Sequence, residues 1–135
     1  MGYASPFEAI GYNGLVASDT TLQKDTTEYS TTSTSGETKL TGTWIEDVST
    51  GSTIRFKADL KKAGGGTTYV YLYMGGSLVA TFSEVNVAYQ SHSVDIDITW
   101  DRTDAMSIVL KSTVAGTAYV KNVEFCGDKS PIIID

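Results

Sequence analysis

Cysteine, histidine and proline are scarce in this chain: its 135 residues include one cysteine, one histidine and two prolines. With Cys126 alone, no intrachain disulfide can form, and a cysteine-based metal centre would need several chains. The thiol reads either as a small buried residue near the end of the last strand or as a bond between identical subunits. His92 stands in the polar stretch Tyr89-Gln90-Ser91-His92-Ser93. A serine triad also needs a nucleophile on a strained turn beside an oxyanion hole, and no Gly-x-Ser-x-Gly motif is present. His92 therefore reads as an exposed loop or strand histidine. Basic residues are also few. The 10 Lys and Arg against 16 Asp and Glu leave a formal net charge of −6, and Lys61-Lys62 is the only basic pair. Such a surface repels a phosphate backbone, which argues against nucleic acid as a partner. Long apolar runs are missing too, so membrane insertion is not expected. Met1-Gly2-Tyr3 has neither the basic start nor the apolar stretch of a signal peptide, so the expectation is cytoplasmic synthesis. Gly64-Gly65-Gly66 opens no helix and is followed by no Gly-Lys-Ser/Thr, so it is not a phosphate loop.

Ser and Thr make up about a quarter of the residues, beside many Val and Tyr. Thr, Val and Tyr suit a pleated, half-buried surface, and no Ala- and Leu-rich helical stretch competes with them. Period-two alternation is clearest at Ile54, Phe56, Ala58 and Leu60 against Arg55, Lys57, Asp59 and Lys61, the mark of a strand with one wet face. It recurs at Val70, Leu72, Met74 against Tyr69, Tyr71, Tyr73, and at Val94, Ile96, Ile98, Trp100 against Asp95, Asp97, Thr99. Gly75-Gly76 supplies the positive-φ residues of a tight hairpin. The Ser/Thr run over residues 30–35 reads equally as a linker or as an edge strand. About eight strands with turn signals every 8–12 residues predict an all-β fold, a single antiparallel β-sandwich with jelly-roll-like crossings. The organisation expected is an N-terminal arm over 1–14, a sandwich over 15–127 and an apolar tail over 128–135.

Three tyrosines on one strand face, Tyr69, Tyr71 and Tyr73, would make a flat amphipathic platform. A sugar could stack on it, another subunit could bury it, or the domain's own arm or second sheet could cover it. Ile132, Ile133 and Ile134 are strand material at a chain end, suited to pairing with the chain's own sheet or extending a neighbour's edge. Asp95, Asp97, Asp101 and Asp104 cluster in sequence, but they lack the ordered ligand spacing of a calcium loop. No cofactor is expected, and structural calcium is the one candidate. Paired carboxylates for glycoside hydrolysis are conceivable on any β-sandwich, but no spacing selects a pair.

The segments 26–35 (TTEYSTTSTS), 52–61 (STIRFKADLK), 68–79 (TYVYLYMGGSLV) and 116–125 (GTAYVKNVEF) resemble a β-sandwich module of tail, fibre and capsid-decoration proteins of bacteriophages and archaeal viruses. That resemblance implies a non-enzymatic virion structural protein, a capsid decoration, spike or tail component. It would self-associate as a trimer or larger, beside other virion proteins, in the virion or another extracellular surface assembly. The closing strand is also similar to that of jelly-roll carbohydrate-binding modules, which implies the alternative: a carbohydrate-binding module or surface adhesin domain with glycans as partners. Lys121-Asn122 departs from the Asp-Asn or Asn-Asn common there, and Trp44 and Trp100 fall at inward positions.

Overall fold

The computed structural model describes residues 15–43, 48–100 and 105–129. These residues form nine strands and no helix: β1 (Leu15–Asp25), β2 (Tyr29–Thr31), β3 (Glu37–Thr43), β4 (Val48–Ala63), β5 (Thr68–Met74), β6 (Ser77–Glu84), β7 (Gln90–Trp100), β8 (Ala105–Ser112) and β9 (Thr117–Lys129). All pairings are antiparallel. One sheet runs β1-β9-β4-β7, with β2 also on β9, and the other runs β3-β8-β5-β6. Two sheets whose members interleave along the chain are the antiparallel sandwich that the alternation predicts. The Ser/Thr run is in part an edge strand, since β2 pairs with β9 alone. The segments 1–14, Trp44, Asp101, Asp104, Ile132, Ile133, Ile134 and the Trp100 side chain lie outside the described residues. The expected arm, the isoleucine tail and the turn over 101–104 fall on these positions.

Period-two patterning decides which side chains meet. Ile54, Phe56 and Leu60 of β4 point inward with Val120 and Phe125 of β9, facing Val70, Leu72, Ile108 and Leu110 of the other sheet. Phe56 stacks on Phe82 across the sandwich, with centroids 4.9 Å apart and planes 6° apart, and on Phe125 beside it at 5.3 Å. Burying each such side chain stabilises the fold by about 2 kcal/mol or more. Gly75 and Gly76 have φ of 57° and 86°, the left-handed pair that a two-residue hairpin between β5 and β6 needs.

The inward parity of β4 continues one step beyond its apolar residues, to Lys62, whose side chain is fully buried. Its ammonium group donates to the carbonyls of Ala63 (2.9 Å), Ala115 (3.4 Å) and Gly65. A buried cation needs such acceptors in place of water. The side chain thereby ties the β4–β5 turn to the β8–β9 turn. Gly116 makes room for it: an added Cβ would lie 2.2 Å from the Ala63 oxygen and 2.7 Å from the Lys62 nitrogen.

His92 lies within β7, the strand alternative of its reading, but its side chain is largely covered and not exposed. Its ring is held at the sandwich edge, 5.3 Å from Phe82, with Nε2 2.7 Å from the Glu84 carboxylate. Burial raises the Glu84 pKa, but hydrogen bonds from Asn86, His92 and Val85 outweigh it and hold the carboxyl below its ordinary value. An ionised carboxylate only accepts, so the imidazole presents its Nε2 proton to it. Glu124 is likewise held low, chiefly by the Thr21 hydroxyl, with burial opposing and the Cys126 thiol helping. Both carboxyls are depressed on folding, so their stabilisation is complete above the ordinary glutamate value of 4.5 and is lost as pH falls through the lower folded values. The melting temperature is therefore expected to fall steadily below about pH 4.5, less steeply in Glu84→Gln. Equal slopes in thermal melts of the two proteins between pH 6 and 3 would contradict this.

Candidate functional site

The outer faces of the two sheets differ in chemistry. On the β1-β9-β4-β7 sheet the outward residues of β4 are Arg55, Lys57, Asp59 and Lys61, and they are engaged at both ends. Toward one end β1 leaves its register with β9 between Val16 and Thr21. Ala17 then donates to the Thr53 hydroxyl (2.9 Å), and Asp19 meets Arg55 (2.9 Å) and Lys57 (3.8 Å). Arg55 also binds Asp95 at 2.8 Å. That bond holds the Asp95 carboxyl low, and together with the Asp19 bond it raises the guanidinium pKa further. Cys126 and Glu124 are buried on this side, and the thiol donates to Glu124 over 3.1 Å. Burial, then this hydrogen bond, pushes the Cys126 pKa up to about 11. The thiol is thus a buried residue, the first of its two readings, and not one poised to bridge subunits.

Toward the other end the ammonium groups of Lys61 and Lys121 lie over the Tyr89 ring at 4.7 and 4.2 Å, and Lys61 also lies 4.6 Å from the Tyr119 ring. The Tyr89 hydroxyl donates to Glu28, and burial with that bond drives its phenol well above the ordinary range. Asn122 has a left-handed backbone (φ 53°), where β9 shifts register against β4, and its amide donates to Asp59 over 2.8 Å. On this face Asp19, Arg55, Lys57 and Asp95 pair with one another, and Lys61 and Lys121 rest on the Tyr89 ring.

The outer face of the β3-β8-β5-β6 sheet carries the three tyrosines. β5 alternates strictly, with Thr68, Val70, Leu72 and Met74 buried and Tyr69, Tyr71 and Tyr73 half-buried on the opposite side. β5 pairs with β6 and β8 in its own sheet, and its alternate residues Val70, Leu72 and Met74 fill the core, so the tyrosines lie on the opposite, outer side of that sheet. Tyr69 and Tyr71 have centroids 5.9 Å apart and planes 10° apart; Tyr73 follows at 6.5 Å, tilted by 50°. The register sets Lys111, Val109 and Ser107 of β8 beside them on one side, and Ser83, Thr81 and Leu78 of β6 on the other. The row is continuous, aromatic and edged by hydroxyl groups. Leu78 is half-exposed at 51% and extends the apolar surface at the Tyr73 end.

The tyrosines are therefore assembled as the sequence alternation predicts, whereas their flanking residues come from cross-strand register and carry no signal in sequence. Lys62 and the Tyr89–Lys61–Lys121 cluster were missed for different reasons. Continuing the β4 alternation by one residue marks Lys62 as inward, but nothing local pairs Tyr89 with Lys121. Asp95, one of the four clustered aspartates, is taken up by Arg55. No group of three or more His, Cys, Asp or Glu able to hold a metal occurs among the described residues.

No protein-family model matches the chain, and no curated protein matches it. Solved structures do. The sandwich is similar to the C-terminal domain of EclA, a sugar-binding protein (TM-score 0.54, 12% identity, 75% of this chain and 78% of that one). It is similar to an insecticidal delta-endotoxin of Bacillus thuringiensis (TM-score 0.53, 10% identity, 75% of this chain and 19% of that one). It is also similar to the BiXyn10A carbohydrate-binding module CBM1 (TM-score 0.53, 10% identity, 82% of this chain and all of that one). The fold is therefore the jelly-roll sandwich also built by carbohydrate-binding modules. None of these three is a viral structural protein.

Proposed function

We propose that this domain binds glycans on the outer face of the β3-β8-β5-β6 sheet, with Tyr69, Tyr71 and Tyr73 as its platform and no catalytic step of its own. The observation that carries the reading is the contrast between the two outer faces. On the β4 face Asp19, Arg55, Lys57 and Asp95 pair with one another and Lys61 and Lys121 cover Tyr89, while the tyrosine face offers three partly exposed rings bordered by Ser107, Thr81 and Ser83. A pyranose has an apolar face of C–H groups and a rim of hydroxyls. Aromatic rings take the first and hydroxyl side chains the second. Similarity in fold to a sugar-binding protein and to a carbohydrate-binding module supports this reading over the virion structural role, which gains no support from the neighbours described. Glycans, and not other copies of the chain, are then the principal partner, and no cofactor is required.

Tyr71 is the central ring, so Tyr71→Ala is expected to weaken binding about ten-fold, as for a central aromatic anchor. Affinity electrophoresis through gels containing soluble plant or bacterial polysaccharides checks this, with circular dichroism confirming an intact sandwich. Equal retardation of both proteins, or retardation of neither in any polysaccharide, would overturn the reading.

A further inference from the structure

The tyrosine face is not uniform along its length: one end carries a cation. Lys111 stands opposite Tyr69 in the β5–β8 register, and its ammonium nitrogen lies 5.7 Å from the Tyr69 ring centroid. It has no carboxylate partner within ion-pair distance among the described residues, unlike Lys39, Arg55 and Lys57. Lys61 and Lys121 also lack a direct ion pair, but they share their face with Glu28 and Asp59. Among the described residues, strands β3, β5, β6 and β8 carry two carboxylates, and neither shares the tyrosine face: Glu37 pairs with the inward Leu110 and is taken by Lys39 at 2.8 Å, and Glu84 is buried. A chain of formal charge −6 thus keeps a small positive field on this face, at the Tyr69 end of the ladder.

Resting on the glycan-binding reading above, we infer that the platform selects sugars bearing a carboxylate, uronic acids above all, with Lys111 as the residue that sets this preference. The geometry suits such a sugar. The Lys111 nitrogen lies over the Tyr69 ring, 5.7 Å from its centroid, and Tyr71 stacks on Tyr69, so a pyranose packed along the outer side of this row has its equatorial substituents beside the ammonium. A carboxylate at the sugar's C5 position then meets the ammonium while the C–H face stays on Tyr69. Lys111 is half-buried, so part of the water around its charge is already displaced. It remains a partly solvated pair, so the expected gain is modest and screened by salt.

The test is an array of immobilised gluco-, manno- and galacto-oligosaccharides, each printed beside the same chain oxidised at C6 to its uronic acid. The wild-type protein is expected to retain the uronic form roughly three- to five-fold better than its neutral partner at low salt. That ratio should collapse toward one at about 0.5 M salt and in Lys111→Gln. A wild-type ratio of one, or a preference for the acid that persists in Lys111→Gln, would overturn the inference and leave the platform reading standing. Binding to neither form by the wild-type protein would overturn both.

Discussion

Replacing Phe56 by alanine is expected to destabilise the domain by about 4 kcal/mol. The ring is fully buried and joins the two sheets through its stack on Phe82, and it also contacts Phe125 within its own sheet. Deleting it loses the transfer free energy of a whole ring and leaves a cavity between two rigid sheets that cannot close independently. Phe56→Leu keeps most of the volume and should cost about 1.5 kcal/mol. Urea denaturation followed by circular dichroism measures both. A Phe56→Ala cost below about 1 kcal/mol would mean that the sheets are not held together through this stack.

Lys62→Met is expected to cost about 3 kcal/mol, although it makes the interior more apolar. The methionine fits the volume but strips the Ala63, Gly65 and Ala115 carbonyls of their shared donor. Leaving a buried acceptor without a partner costs about 1 to 3 kcal/mol, and water can restore some of these bonds near the surface turns. Gly116→Ala attacks the same cage from the other side, at a φ of 117° that strains any residue with a side chain. The two substitutions should therefore be markedly less than additive, because either one already breaks the clamp. Additive costs in a double-mutant cycle would place the two residues in independent roles.

Much of this fold is legible in the sequence because period-two alternation is strict wherever one strand face is buried. β4, β5 and β8 read directly, as does the hairpin at Gly75-Gly76. The tyrosine row is legible for the same reason: a strand with Val70, Leu72 and Met74 inward must send Tyr69, Tyr71 and Tyr73 outward. The short strand β2 is less legible, since two of its three residues sit in a Ser/Thr run with no apolar alternation. What cannot be read is anything set by strand order. That Lys111 flanks Tyr69, or that Tyr89 reaches across to Glu28, depends on pairings between segments 42 and 61 residues apart. His92 misleads because its neighbours are polar. Its inward parity on β7, shared with Ile96, is the signal that would have placed it against Phe82 and Glu84.

The division of labour between the two faces follows from these same residues. The β4 face spends its charges on holding β1 and Tyr89 down, through Asp19, Arg55, Lys61 and Lys121. A ligand there would first have to break those contacts. On the tyrosine face Lys111 lies over Tyr69 and the rings order one another, so stacking a sugar there costs little side-chain entropy.

Nuclear magnetic resonance mapping of the best-retained soluble oligosaccharide onto the labelled protein tests this account most directly. The ring signals of Tyr69, Tyr71 and Tyr73 and the methyl signals of Val109 and Leu78 are expected to shift together on titration, while those of Tyr89 and Tyr119 stay in place. Shifts confined to Tyr89, Tyr119, Lys61 and Lys121 would move the binding site to the opposite face and contradict the account.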